Sequence, residues 1–238
     1  MSNFSIRDLW NMYLSAGIRL PIRYLFECWW YDLSRSVSTH HRMMPNEFVD
    51  DPINEEKCVI YMCSWTSIVR RATLEALSRV KDQTHTPPIL IDIGSGKGKT
   101  LFVWSENKKI SEFSSELIGI EFSTKLVQMY KLNVLSHKSL SRIPDVVLAD
   151  VLDCTLFEKD KPYILYLYNP FSEEILDKFL KKIEKEYRFE QPLIIIYNNP
   201  VHDEVFRKSK IELLCEWRHW HPNGTVNIYE FCRNRYDK

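Results

Sequence analysis

Glycine is scarce in this chain, with 6 residues in 238. Three of the six fall at positions 94, 96 and 98, so backbone freedom is concentrated in one place. With 11 prolines and 27% charged residues, that scarcity excludes collagen-like and disordered compositions. An excess of charge is also missing, because 32 basic side chains meet 32 acidic ones. Proteins whose main task is to hold nucleic acid draw affinity from surplus Lys and Arg, so that class is disfavoured, although a local basic patch is compatible with the balance. The six cysteines, at 28, 58, 63, 154, 215 and 232, form no Cys-x-x-Cys pair and no zinc-ribbon spacing. Free thiols in a reducing compartment are the expectation. The first residues, Met1-Ser2-Asn3-Phe4-Ser5-Ile6-Arg7-Asp8, lack the basic-then-apolar order of a signal peptide, so a cytoplasmic protein is expected.

A membrane-spanning run is absent too. Residues 9 to 30 are rich in Leu, Ile, Trp, Tyr and Phe, but Arg19, Pro21 and Arg23 interrupt them, and a central Arg costs about 2.5–3.5 kcal/mol on insertion. The stretch reads as one or two amphipathic helices packed on the domain. An interfacial helix that meets a membrane surface or a partner is the other reading.

What is present begins at residue 87, where short apolar, β-branched runs alternate with amphipathic stretches, the pattern of an α/β sheet covered by helices. Strands are expected at Pro88-Ile89-Leu90-Ile91-Asp92-Ile93, Leu117-Ile118-Gly119-Ile120-Glu121 and Asp145-Val146-Val147-Leu148-Ala149, and at 163 to 168 and 192 to 197. Helices are expected at 98 to 107, 123 to 136 and 172 to 187, the last with Ser172 as its cap. Residues 211 to 218 and 225 to 232 read as a hairpin joined by His221-Pro222-Asn223-Gly224, since Asn-Gly between apolar runs signals a tight turn. The expected fold is α/β and Rossmann-like: a seven-stranded, mostly parallel sheet with an antiparallel terminal hairpin and helices on both faces. Residues 87 to 238 form this core, and residues 1 to 86 form an amino-terminal helical extension that includes a helix at about 67 to 80.

In an open parallel sheet, ligands bind beyond the carboxyl ends of the strands, near the point where strand order reverses. The polar residues at those ends are Asp92 with the glycines, Glu121, Asp150, Asn169 and Asn198-Asn199. Asp92-Ile93-Gly94-Ser95-Gly96-Lys97-Gly98 follows a strand and opens a helix, so the backbone turns tightly and a ligand approaches it closely. The dinucleotide fingerprint Gly-x-Gly-x-x-Gly is not met, because the third glycine comes one residue early, and the phosphate-loop frame is not met either. Lys97 and Lys99 read as solvent-facing.

This segment resembles motif I of the class I S-adenosylmethionine-dependent methyltransferases, and loosely that of the non-SET histone lysine methyltransferases. The resemblance implies S-adenosyl-L-methionine as cofactor, held by Asp92, Gly94, Ser95, Gly96 and Gly98. It implies that Glu121, with Phe122 beside it, takes the ribose hydroxyls, and that Asp150, with Val151, takes the adenine amino group. Asn169-Pro170-Phe171 stands where the family places motif IV, so the three are the expected catalytic residues. Asn169 and the Pro170 backbone would position the methyl acceptor, and Phe171 would wall the pocket. In the non-SET enzymes a tyrosine-bearing segment upstream closes over the cofactor, which implies a cofactor contact for Tyr61 and Thr66. A carboxylate suits a ribose diol, since it presents acceptors to both donors.

The resemblance also implies a contrast, since amino-methylating members of that family carry Asn/Asp-Pro-Pro-aromatic here and this chain has one proline, which disfavours a nucleic-acid base as acceptor. The expected acceptor is therefore an amine or hydroxyl of a small molecule, glycan or protein side chain, with nucleic acid disfavoured. Little chain lies between strands three and four or beyond the hairpin, so the acceptor pocket must draw on residues 1 to 86. The alternative is a non-catalytic cofactor-binding or scaffold protein whose amino-terminal helix meets a partner or membrane. His40-His41 and His219-Trp220-His221 are the candidates for a metal centre, but adjacent histidines do not easily share one tetrahedral ion, and no metal is expected.

Overall fold

A computed structural model describes residues 6–49, 58–188, 190–209 and 211–231. Seven strands form one sheet: β1 (Ile89–Ile93), β2 (Glu116–Glu121), β3 (Asp145–Leu148), β4 (Tyr163–Tyr168), β5 (Leu193–Asn198), β6 (Ile211–Trp217) and β7 (Val226–Phe231). Their spatial order is β3-β2-β1-β4-β5-β7-β6. The first five strands pair in parallel, and β7 runs antiparallel to both β5 and β6. This is the Rossmann-like architecture expected from the alternation of strands and helices.

The central strands are apolar except at Asp92 and Asn198, and both faces are covered. Leu90, Ile164, Tyr166, Ile194 and Ile196 belong to one core with helices α4 (Thr66–Gln83) and α5 (Lys99–Glu106). Ile89, Ile91, Leu165, Ile195 and Tyr197 belong to the other, with α8 (Glu173–Glu186) and α9 (Asp203–Arg207). Buried positions 69, 72, 73, 76 and 80 of α4 recur at helical spacing, and the Trp104 indole donates to Thr73 Oγ1 at 2.7 Å, tying α5 to α4. Helix α6 (Lys108–Glu112) packs on α4 and α5, and α7 (Thr124–Ser136) packs on β2 and β3.

The amino-terminal residues form α1 (Ile6–Ala16), α2 (Arg19–Tyr24) and α3 (Trp30–Arg35), the last two joined through a π-helical turn at Leu25–Trp29. Gly17, at φ 69°, separates α1 from α2. Residues 58–65 then run as an extended strap to α4, pinned by single antiparallel bridges between Met43 and Tyr61 and between Cys58 and Phe171.

Three local expectations are corrected. The hairpin connection is a 3₁₀ turn at Pro222–Gly224, and Gly224 does not adopt positive φ. The glycine is needed there for space, since a Cβ would meet the His219 ring. Ser172 precedes α8 without a side-chain cap bond. Lys97 and Lys99 are buried, at 2% and 3% exposure, because His41 and Tyr61 cover the first and the helical segment at Glu27 and Tyr31 covers the second. The short helices α6 and α9 were not expected from the sequence. Cys232, at the end of the expected last strand, lies outside the described residues. Among the described residues no helix is long and apolar enough to cross a membrane.

Candidate cofactor and acceptor site

Strand order reverses between β1 and β4, whose neighbours lie on opposite sides. At the carboxyl ends of these strands, where doubly wound sheets bind ligands, a cavity of about 460 Å³ opens. The glycine loop forms its floor. Gly94 N and Ser95 N both donate to Ile120 O, at 2.9 and 3.1 Å, so the loop is hooked to the end of β2. Gly96 adopts φ 56°, and a Cβ there would collide with the Tyr61 ring, so the residue serves both the turn and the close approach of the strap.

Glu121 is the most constrained polar group of the site. It is 3% exposed, its Oε2 accepts from Gly96 N at 2.8 Å and its Oε1 accepts from Ser123 N at 2.9 Å. Burial pushes its pKa above the usual carboxylate value, against the opposing pull of the Ser123, Gly96 and Phe122 backbone amides. One bond on each oxygen leaves acceptor capacity for a ligand. Asp92, also 3% exposed, takes a hydrogen bond from the Thr100 hydroxyl, and burial pushes its pKa up to about 8, with the Glu121 charge adding to the rise. Asp150 is exposed, and its Oδ1 accepts from Leu152 N at 2.8 Å.

Of the residues singled out in the sequence, Asp92, Gly94, Ser95, Glu121, Phe122, Asp150, Val151, Tyr61, Pro170 and Phe171 line this one cavity. Gly96 sits just behind it, under Tyr61. Gly98 caps α5 at φ 89° and packs on the Tyr130 ring. Thr66 is not in the lining; its hydroxyl donates to Glu27 O at 2.9 Å and fastens α4 to the π turn. Asn169 is not in the lining either. It adopts φ 41°, and its Oδ1 accepts from the Tyr197 hydroxyl at 3.1 Å, so its side chain shapes the turn that presents Pro170 and Phe171. Asn198 is satisfied within the fold, accepting from Tyr166 and donating to the Asn223 and Thr225 carbonyls.

The strap supplies residues 58 to 64 to the cavity wall. Tyr61 donates to Thr39 O at 2.8 Å, and Lys97 Nζ sits 4.7 Å above its ring while donating to His41 O. Burial pushes the Lys97 pKa down to about 8. Behind the wall, Asp32 accepts from Thr39, from the His40 backbone amide and from His40 Nδ1, the last at 2.7 Å, with Lys99 Nζ 3.7 Å away. These bonds hold Asp32 below its ordinary carboxylate value despite burial. His40 is therefore occupied within this network, and among the described residues no three His, Cys, Asp or Glu gather in a metal-ligating group.

Several lining residues had no sequence signal of their own. Lys99, Thr100 and Phe48 reach the cavity only through tertiary contact. Tyr168 was findable, since it ends β4 immediately before the Asn-Pro turn. Its hydroxyl and the Ser95 hydroxyl are both buried without a hydrogen-bond partner. The ionisable groups of the lining are Asp92, which burial keeps protonated, and Glu121, Asp150 and Asp153 against Lys99. That set suits a ligand rich in hydroxyl and amino donors and is poor for a diphosphate.

No protein-family model and no curated protein matches this sequence. Among solved structures, the chain is similar to an N-methyltransferase, NodS, from Bradyrhizobium japonicum at 11% identity, over 68% of this chain and 95% of that one, with a TM-score of 0.46. It is similar to an S-adenosylmethionine-dependent methyltransferase from Clostridium acetobutylicum at 7% identity, over 68% and 92%, also with a TM-score of 0.46. It is similar to magnesium protoporphyrin IX methyltransferase from Synechocystis at 11% identity, over 96% and 98%, with a TM-score of 0.45. None of the three supports the loose likeness to histone lysine methyltransferases. At these identities and scores the likenesses carry nothing about activity or substrate, and the fold stands on this chain's own strand pairing.

Proposed function

We propose that the cavity binds S-adenosylmethionine and that the protein transfers a methyl group to an amine or hydroxyl of a small molecule, glycan or protein side chain. The observation that carries this reading is Glu121 at the end of β2, held in place by Gly96 N and Ser123 N beside the glycine loop at the reversal point of the sheet. A carboxylate so fixed has its remaining lone pairs for two vicinal hydroxyls, the ribose of the cofactor. Asp150 would accept from the adenine amino group, with Phe122 and Val151 as walls.

When bound, the cofactor supplies an electrophilic methyl on a sulfonium. The chain's part is then placement, because an in-line displacement needs the acceptor lone pair held at near-attack distance. Tyr168, Pro170 and Phe171 stand at the end of β4 for that task, and Asn169, tied to Tyr197, fixes the turn that carries them. A general base is required only for an acceptor that arrives protonated.

Calorimetric titration of the full chain with S-adenosylhomocysteine tests the reading, alongside methyl-label transfer to fractionated cell extract. Saturable binding with no comparable binding of NAD is expected. No binding of the homocysteine product, or tighter binding of NAD, overturns it.

A further inference from the structure

The α2–π–α3 helix is apolar on two opposite sides. Its inner side, with Pro21, Cys28 and Tyr31 buried and Leu20 and Tyr24 packed beside them, joins the core. Its outer side carries Ile18, Ile22, Phe26, Trp30 and Leu33, which remain 59%, 47%, 70%, 56% and 54% exposed. Steps of four residues drift by roughly 40° on an α-helix. The π turn at Leu25–Trp29 winds less per residue and offsets that drift, so the stripe stays on one side. A helix that is apolar all round is normally covered all round. Five large side chains at this exposure leave on the order of 500 Å² of apolar surface open, at the upper end of what a monomer shows. Helix α1 extends the surface: it buries no residue, and Trp10 is 59% exposed.

The surrounding charge selects the occupant. Glu27 is drawn in by Arg23 and by Ser67 N, and Asp32 is buried, so Asp8 is the exposed carboxylate of the first three helices. Arg7 and Arg19 are exposed on the same helices. Arg23 donates to Ser67 at 2.9 Å, which brings the first turns of α4 alongside, and the next turn carries the exposed Arg70, while Arg71 is held over the Trp217 ring. A second copy docking face to face would set arginine against arginine. An apolar stripe with tryptophan and a cationic border instead matches an anionic lipid surface, into which such a face sinks while its arginines meet phosphates.

We infer that the outer face of residues 6–35 docks on anionic phospholipid membranes, lying in the interface without spanning it. The test is flotation of the full chain with vesicles of phosphatidylcholine alone and with added phosphatidylglycerol, followed by tryptophan fluorescence. Binding to the anionic vesicles only, weakened by salt, is expected. The F26S/W30S variant, altered only at exposed positions, should lose about tenfold or more of that partitioning. R19E should weaken it while S-adenosylhomocysteine binding and melting temperature stay unchanged. Three results overturn the inference: no flotation with either vesicle, equal flotation with both, or a dimer in light scattering that F26S/W30S splits. Cofactor binding is read separately, so its failure would leave the membrane result standing, and the reverse holds too.

Discussion

Replacing Glu121 separates two roles that its geometry combines. In the ligand-free protein its oxygens accept from Gly96 N and Ser123 N, while burial without an ion-pair partner penalises its charge. Truncation in Glu121→Ala removes both bonds but also relieves the buried charge, and the space left opens to the cavity, where water can reach the two amides. The net change in ligand-free stability should be within about 1 kcal/mol, a melting shift below about 4 °C for a chain of this length. Binding behaves differently. Two charge-assisted bonds to a ribose diol, less the water they displace, are worth about 3–4 kcal/mol together, so the dissociation constant for S-adenosylhomocysteine should rise by two to three orders of magnitude. Glu121→Gln should invert the pattern. Its amide group must face one of two backbone donors, which costs about 1–3 kcal/mol of stability, and one oxygen is kept for the ligand. Titration calorimetry and thermal melting on both variants provide the readout. If Glu121→Ala binds within about threefold of wild type, or if its loss of binding comes with an equal loss of fold, the ribose role is refuted.

The remaining predictions use the same readouts. Asp92, pushed up to about 8, keeps a proton in the folded protein that the unfolded chain releases near pH 4. Stability should therefore fall as pH rises from 4 to 8, by at most about 1.4 kcal/mol per unit, and level off above; Asp92→Asn should flatten that slope, and parallel curves would refute the assignment. Asp32→Ala leaves Lys99 buried without its carboxylate and should cost about 3–5 kcal/mol, read as a large melting shift; a change under about 2 °C would contradict the network. Gly96→Ala forces a side chain into positive φ and against Tyr61, at a cost of about 1–2 kcal/mol for the backbone alone. Adding Tyr61→Ala should recover part of the loss, and no recovery would mean that the ring contact does not matter.

The sheet was legible in the sequence because strands buried on both faces are nearly all apolar, as Leu193 to Tyr197 show, and because its acids fall at strand ends. Glu121 and Asp92 were singled out by that placement together with the resemblance of the glycine loop to motif I. Lys97 and Lys99 were misjudged because their partners lie far off along the chain: the His41 and Glu27 carbonyls are 56 and 72 residues away. No local pattern announces such a burial. Asn223-Gly224 misled for a different reason, since its glycine answers to the His219 ring and not to a turn that needs positive φ. Thr66 carried an implied cofactor contact, but its hydroxyl went to the π turn, a conformation that apolar periodicity does not foretell.

The long separations in the amino-terminal contacts also set a schedule. Arg23 meets His219 across 196 residues, and Ser38 N meets Asn133 across 95. During synthesis the first helices leave the ribosome with their binding positions not yet made, and the last of those positions arrives with the turn before β7. The contacts to Asn133 and His219 must wait until those residues are made, an interval in which a chaperone or a nearby bilayer competes with the sheet for the first helices. The first helices are thus made well before the residues that complete their seat.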